Sequence, residues 1–128
     1  MPWSLDARLP VVIVADAAEL AGALTAGPKA AVLAEAPPPP MPDAAAALAS
    51  FEPFSPHAAG CGCCGGRSPA AAALDRLFQA RVRSACPWFE RVVALAETPA
   101  AREAIAAALR DDAVTAARFR AAGPSVTP

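Results

Sequence analysis

Three thiols crowd four consecutive positions of this chain: Cys61, Cys63 and Cys64, set among Gly60, Gly62, Gly65 and Gly66. Glycine tolerates positive φ, so a backbone this rich in it can turn tightly enough for sulfurs to converge. The cluster runs into Ser68-Pro69, a hydroxyl cap followed by proline, which is a helix start. Partial positive charge at a helix N-terminus lowers thiol pKa and favours the thiolate. Thiolates are soft ligands suited to zinc or monovalent copper. Cys61 and Cys64 have the spacing of a two-sulfur zinc clamp, and adjacent Cys63 and Cys64 cannot bridge each other without strain. Two sulfurs do not close a tetrahedral shell. Glu35, Cys86 and His57, the only histidine, are the candidates to complete it. Cys86 follows a long helix and reads instead as a small buried hydrophobe. The candidate metal ligands are therefore Cys61, Cys63, Cys64, Glu35 and His57, with zinc as the expected cofactor.

The rest of the composition narrows the partners. Acids and bases nearly balance, at a formal net charge of −1, so no electrostatic grip on nucleic acid or anionic lipid is expected. Lys29 is the only lysine, and therefore the only one this chain can offer a phosphate. No apolar run approaches the roughly 20 residues of a membrane helix. The N-terminal apolar stretch holds Asp16 and Glu19 and makes a poor signal peptide. These features place the chain in the cytoplasm, where thiols stay reduced and clustered cysteines serve metal or redox chemistry.

The elements that must position the cluster follow from hydrophobic patterning. Leu9-Pro10-Val11-Val12-Ile13-Val14 is a β-branched run with no polar face, the mark of a parallel strand buried on both sides. Asp16 caps a helix to about residue 26, which Gly27-Pro28 stops. A second strand is expected over 30–33, then a polyproline spacer over 37–40. Pro42-Asp43 opens an alanine-rich helix ending near Ser50, and 51–56 is extended, with the character of an edge strand. After the cysteines, Leu74, Leu77, Phe78 and Val82 share one face of a helix that runs from Ser68 to the Cys86-Pro87 stop. A third strand is expected over 89–95 and helices over 100–110 and 112–120. Strands alternating with helices argue for one α/β domain over 1–122, a small parallel sheet flanked by helices, with a flexible tail over 123–128.

Gly60-Cys61-Gly62-Cys63-Cys64 resembles the Gly-Cys-x-Cys-Cys motif of the CobW-type GTPases, metallochaperones related to the HypB and UreG nickel chaperones. The surroundings are similar too. Leu9–Val14 looks like the strand entering that family's phosphate loop. Ala30-Ala31-Val32-Leu33-Ala34-Glu35 looks like its second strand, which ends in Asn-Glu. Pro87-Trp88-Phe89-Glu90-Arg91-Val92-Val93 resembles its third strand, and Asp111-Asp112-Ala113-Val114 with Arg118-Phe119-Arg120 the helix beyond it. The resemblance implies a fold like the first half of a P-loop GTPase domain. It also implies that Glu35 and the cysteines contribute to metal binding, although Ala34 stands where the family has asparagine.

The departures concern nucleotide chemistry. A phosphate loop needs Gly-x-x-x-x-Gly-Lys-Ser/Thr directly after the first strand, to cradle phosphates, reach them with lysine and hold magnesium. Here the strand leads into Ala15-Asp16-Ala17-Ala18-Glu19, without glycine, lysine or hydroxyl. Gly22 to Gly27 followed by Pro28-Lys29 is a near miss that reads as a helix stop. The family's Glu-Thr-Thr-Gly falls on Leu95-Ala96-Glu97-Thr98 and loses its acid and its glycine. The expectation is a degenerate, metal-binding CobW-like protein with no bound nucleotide and no GTP hydrolysis. It would act in metal buffering, delivery or regulation, with a client metalloprotein or a second copy of itself as partner. The alternatives are a nucleotide-binding metallochaperone GTPase, a thiol-redox sensor using Cys61 and Cys64, and a structural adaptor.

Overall fold

The computed structural model describes residues 7–53 and 68–122. His57, Cys61, Cys63, Cys64 and Arg67 lie outside the described residues, as do the second half of the extended 51–56 segment and the 123–128 tail. Along the chain run β1 (Leu9–Val14), α1 (Ala17–Thr25), β2 (Ala30–Glu35), β3 (Ala45–Phe51), α2 (Pro69–Val82), β4 (Arg91–Leu95), α3 (Pro99–Asp111), α4 (Ala113–Arg118) and β5 (Phe119–Ala121). The five strands form one sheet in the order β3-β2-β4-β1-β5, and every pair is parallel.

Strands without a polar face need cover on both sides, and the helices supply it. All five residues of β4 are buried, as are the first five of β2. On one face Leu9, Val11, Leu33, Phe51, Val92 and Phe119 meet Leu74 and Leu77 of α2 and Ala101 and Ile105 of α3. On the other face Val14, Val32, Val93 and Leu95 meet Leu20 and Leu24 of α1. The small α/β fold with a parallel sheet expected from the sequence is thus the observed one.

Helix boundaries follow their chemistry. Asp16, Ser68, Thr98 and Asp112 cap α1 to α4, each side chain accepting the backbone N–H three residues on. α1 ends at Thr25, and Gly27, at φ +126°, turns the chain toward β2. The near-miss phosphate motif is therefore a helix stop. Arg91, at the start of β4, secures that turn by donating from Nε to the Pro28 carbonyl and from Nη2 to that of Ala23, both at 2.8 Å. Burial lowers the Arg91 pKa, and its cation sits where the C-terminal end of the α1 dipole favours one.

Three expectations are corrected. The stretch 42–50 is not a helix: Ala45–Phe51 is the edge strand β3, paired with β2 along its length. Alanine's helical preference is worth only about 0.3–0.7 kcal/mol per residue over most alternatives. Burying Ala45, Ala46, Ala49 and Phe51 against the sheet and α2 overrides it. The helix over 112–120 stops at Arg118, and Phe119 enters the short strand β5. There its buried ring packs edge-on against Phe78, with centroids 6.0 Å apart. Finally, α2 ends at Val82 rather than at Cys86-Pro87, leaving Val82 half exposed outside the core. Ser84, at φ 58°, takes the left-handed position after the cap. Ser84 N–H bonds the Arg81 carbonyl and Ala85 N–H that of Ala80, a Schellman closure.

Candidate functional site at the carboxyl edge of the sheet

In a parallel sheet all strands end at one edge, and each helix that follows a strand begins there. Ligands of open α/β sheets bind in crevices along this edge, where neighbouring strands send their connections in opposite directions. β1 and β4 are such neighbours: β1 leads away to β2 on one side, and β4 to β5 on the other. The turns that follow them define what the edge can do.

The β1–α1 turn holds two residues, Ala15 and Asp16. Asp16 Oδ1 accepts the Glu19 N–H, and Glu19 Oε1 accepts the Ala15 N–H, both at 2.8 Å. This arrangement, a capping-box variant in which Glu19 holds the N–H of the residue before the cap, places two carboxylates on the helix terminus that a phosphate would otherwise occupy. Lys29 lies just before β2, at the opposite edge of the sheet, where its carbonyl accepts the Glu90 N–H.

Glu35 ends β2 at the carboxyl edge. Its Oε1 accepts the backbone N–H groups of Glu97 and of Thr98, the latter at 3.0 Å, and its Oε2 accepts the Thr98 hydroxyl at 3.1 Å. The same hydroxyl oxygen accepts Ala101 N–H at 3.1 Å and so caps α3. Glu35 is therefore a latch between the end of β2 and the first turn of α3. These three bonds use three of the roughly four acceptor positions of a carboxylate, so capacity for one further ligand remains on Oε2. Residues 96–98 thus serve the latch: Ala96 N–H extends the ladder to the Val14 carbonyl, and the next two amides hold Glu35.

Glu35 is also the register partner of Phe51, and Ala36 N–H bonds the Phe51 carbonyl at 2.7 Å. From Phe51 the chain leads through Glu52 and Pro53 toward the cysteine-bearing stretch, and it is described again at Ser68, the cap of α2. Strand β3 thus delivers the chain to the position beside Glu35. Of the expected metal ligands, Glu35 alone falls among the described residues. Among the described residues no group of three or more His, Cys, Asp or Glu side chains is placed to hold a metal ion. Cys86 is a free, partly buried thiol packed against the main core, beyond the far end of α2. Sequence reasoning missed the latch partner Thr98, whose only signal was the Thr-Pro pair that opens a helix.

None of the described helices is long and apolar enough to cross a membrane. Fold and edge together define a class, the small α/β proteins with an all-parallel sheet. Beyond the class, no family model matches the chain, and neither a curated protein nor a solved structure matches it.

Proposed function

We propose that this protein holds a soft metal ion, zinc, on the thiolates of Cys61, Cys63 and Cys64, and that it buffers or delivers that ion or regulates a partner without hydrolysing nucleotide. The observation that carries the reading is the glycine-bedded thiol cluster, on a stretch that sets out from the carboxyl edge beside Glu35. Thiolate chemistry supplies soft ligands, and Glu35, with three hydrogen bonds, retains one acceptor position for a further ligand. His57 is the nitrogen ligand nearest in sequence. The capping box at α1 supports the nucleotide-independent part, because Asp16 and Glu19 put negative charge where phosphates would bind. The resemblance to CobW-type metallochaperones points the same way on the metal and departs from them on the nucleotide.

The test is elemental analysis of metal copurifying with the reduced protein, wild type beside the double variant Cys61→Ser/Cys64→Ser. About one zinc per chain or per two chains, lost in the variant, is expected from a thiolate site. Absence of stoichiometric metal from both proteins would refute the metal reading and leave reversible thiol oxidation as the next chemistry to measure. A calorimetric titration with GTP and magnesium is expected to give no heat; saturable binding would overturn the nucleotide-independent part.

A further inference from the structure

We propose that residues 37–42, Pro-Pro-Pro-Pro-Met-Pro, form a recognition strap for a partner protein with an aromatic-lined groove, the kind that reads polyproline II helices. The strap belongs to the connection between β2 and β3. These strands are parallel, so the chain must return from the carboxyl edge of the sheet to the amino edge. β2 is six residues long, about 20 Å at roughly 3.3 Å per residue. Nine residues, 36–44, make the return. As an α-helix they would span only about 14 Å; as polyproline II they span about 28 Å. No helix forms there, and four consecutive prolines hold φ in the polyproline II range.

Exposure along the strap repeats every third residue. Pro39 and Pro42 are partly buried, whereas Pro37, Pro38, Pro40 and Met41 are exposed. A polyproline II helix has three residues per turn, so residues three apart share a ridge, about 9 Å from one to the next. One ridge, Pro39 with Pro42, is thus turned toward the protein. The other two, Pro37 with Pro40 and Pro38 with Met41, stand in solvent. The strap does not close onto α1: Pro39 to Asp43 line a cavity of about 420 Å³ together with Leu20 and Leu24 of that helix. Its ends are held by Ala36 N–H on the Phe51 carbonyl and by Ala45 N–H on the Pro42 carbonyl. Between them, among the described residues, nothing donates a hydrogen bond to the carbonyls of Pro37 to Met41. The strap therefore presents acceptors and two apolar ridges, with no charge. A partner must supply donors and flat apolar walls, and Trp and Tyr side chains supply both. Proline has little conformational freedom left to lose, so binding carries a low ordering cost. Nucleic acid and anionic membranes find no cation to grip here. None of this requires a metal ion.

The experiment is an NMR titration of three isotope-labelled probes, a WW, an SH3 and an EVH1 domain, with the full chain. At least one is expected to bind saturably, with shifts centred on its aromatic groove. Pro38→Ala and Pro40→Ala, on the exposed ridges, should each weaken that binding about tenfold by removing a ring contact. Pro39→Ala, on the inward ridge, should change it by less than about threefold. Circular dichroism checks that each variant is folded. A synthetic peptide of residues 36–44 is titrated in parallel and should bind no more tightly than the folded chain, so the wild-type and peptide titrations decide the matter even where a variant fails to fold. The proposal is overturned by silence from all three domains, by binding of the peptide but not of the folded chain, or by equal losses in Pro39→Ala and Pro40→Ala.

Discussion

Replacing Glu35 by alanine tests the latch at the carboxyl edge. The side chain receives two backbone amides at the start of α3 and the Thr98 hydroxyl. Bonds to a charged acceptor contribute about 1.5–3 kcal/mol each when fully desolvated. Glu35 is only partly buried, so about 1 kcal/mol per bond is the reasonable figure after solvent screening. The expected loss is then about 2–3 kcal/mol, which for a domain of this size lowers Tm by about 10 °C and the urea midpoint by about 1–2 M. Glu35→Gln keeps an oxygen for the amides and should lose about 1 kcal/mol. Thr98→Val removes both the cap of α3 and one latch bond. Its effect should therefore fail to add to that of Glu35→Ala, with a coupling above about 0.5 kcal/mol in a double-mutant cycle. Urea unfolding followed by circular dichroism reads the wild type, the three single variants and the double variant. Stabilities within about 0.5 kcal/mol of wild type for Glu35→Ala, or strict additivity with Thr98→Val, would refute the latch. Zinc content measured on the still-folded Glu35→Ala protein separates the latch from a ligand role: unchanged metal assigns the carboxylate to the fold alone.

Three further outcomes are expected. Ser84→Gly should raise stability by about 0.5–1 kcal/mol, because Ser84 occupies a left-handed position that glycine adopts without strain; thermal unfolding measures it, and a loss of stability would count against the Schellman assignment. Asp16→Ala should cost about 1 kcal/mol by breaking the α1 capping box, and a GTP titration of the same variant should stay silent. Arg91→Met should cost about 1–3 kcal/mol in chemical denaturation, since it strands the Pro28 carbonyl and leaves that of Ala23 with only the Ala26 N–H; amide exchange should accelerate first in the last turn of α1.

Much of this fold was legible because buried parallel strands leave a plain trace: the runs at 9–14 and 92–95 are apolar throughout, and the helix starts at Asp16 and Ser68 carry carboxylate or hydroxyl caps. The failures have physical causes. Alanine serves a helix or a small-residue strand, so 42–50 carried no periodicity able to separate them; the partner strand β2 decided the outcome. A bulge between the Ala30 and Val32 pairings further disrupts the alternation of β3. β5 is three residues long, shorter than any window in which alternation can be recognised. At the site, Glu35 could be singled out by its place at a strand end. Its partners Glu97 and Thr98 are more than 60 residues away in sequence, a distance that local patterning does not bridge. The cysteine cluster and His57 lie outside the described residues, so spacing and chemistry still carry that part of the reading.

The sheet order has a consequence for how the chain is made. β1 pairs on one side with β4, Val11 lying against Val92, and on the other with β5, Leu9 lying against Phe119. Among the described strands, β1 is thus completed by the two that follow furthest behind it in the chain. At about 5–20 residues per second, Leu9–Val14 waits roughly 4–16 seconds for β4 to be synthesised. During that interval only β2 and β3 can pair. Leu9–Val14, apolar throughout, is left as an open edge in the nascent chain, the kind of segment that chaperones bind and that aggregates without them. Refolding in isolation should accordingly be slow for a chain of this length, because both pairings of β1, Val11 with Val92 and Leu9 with Phe119, must close long loops.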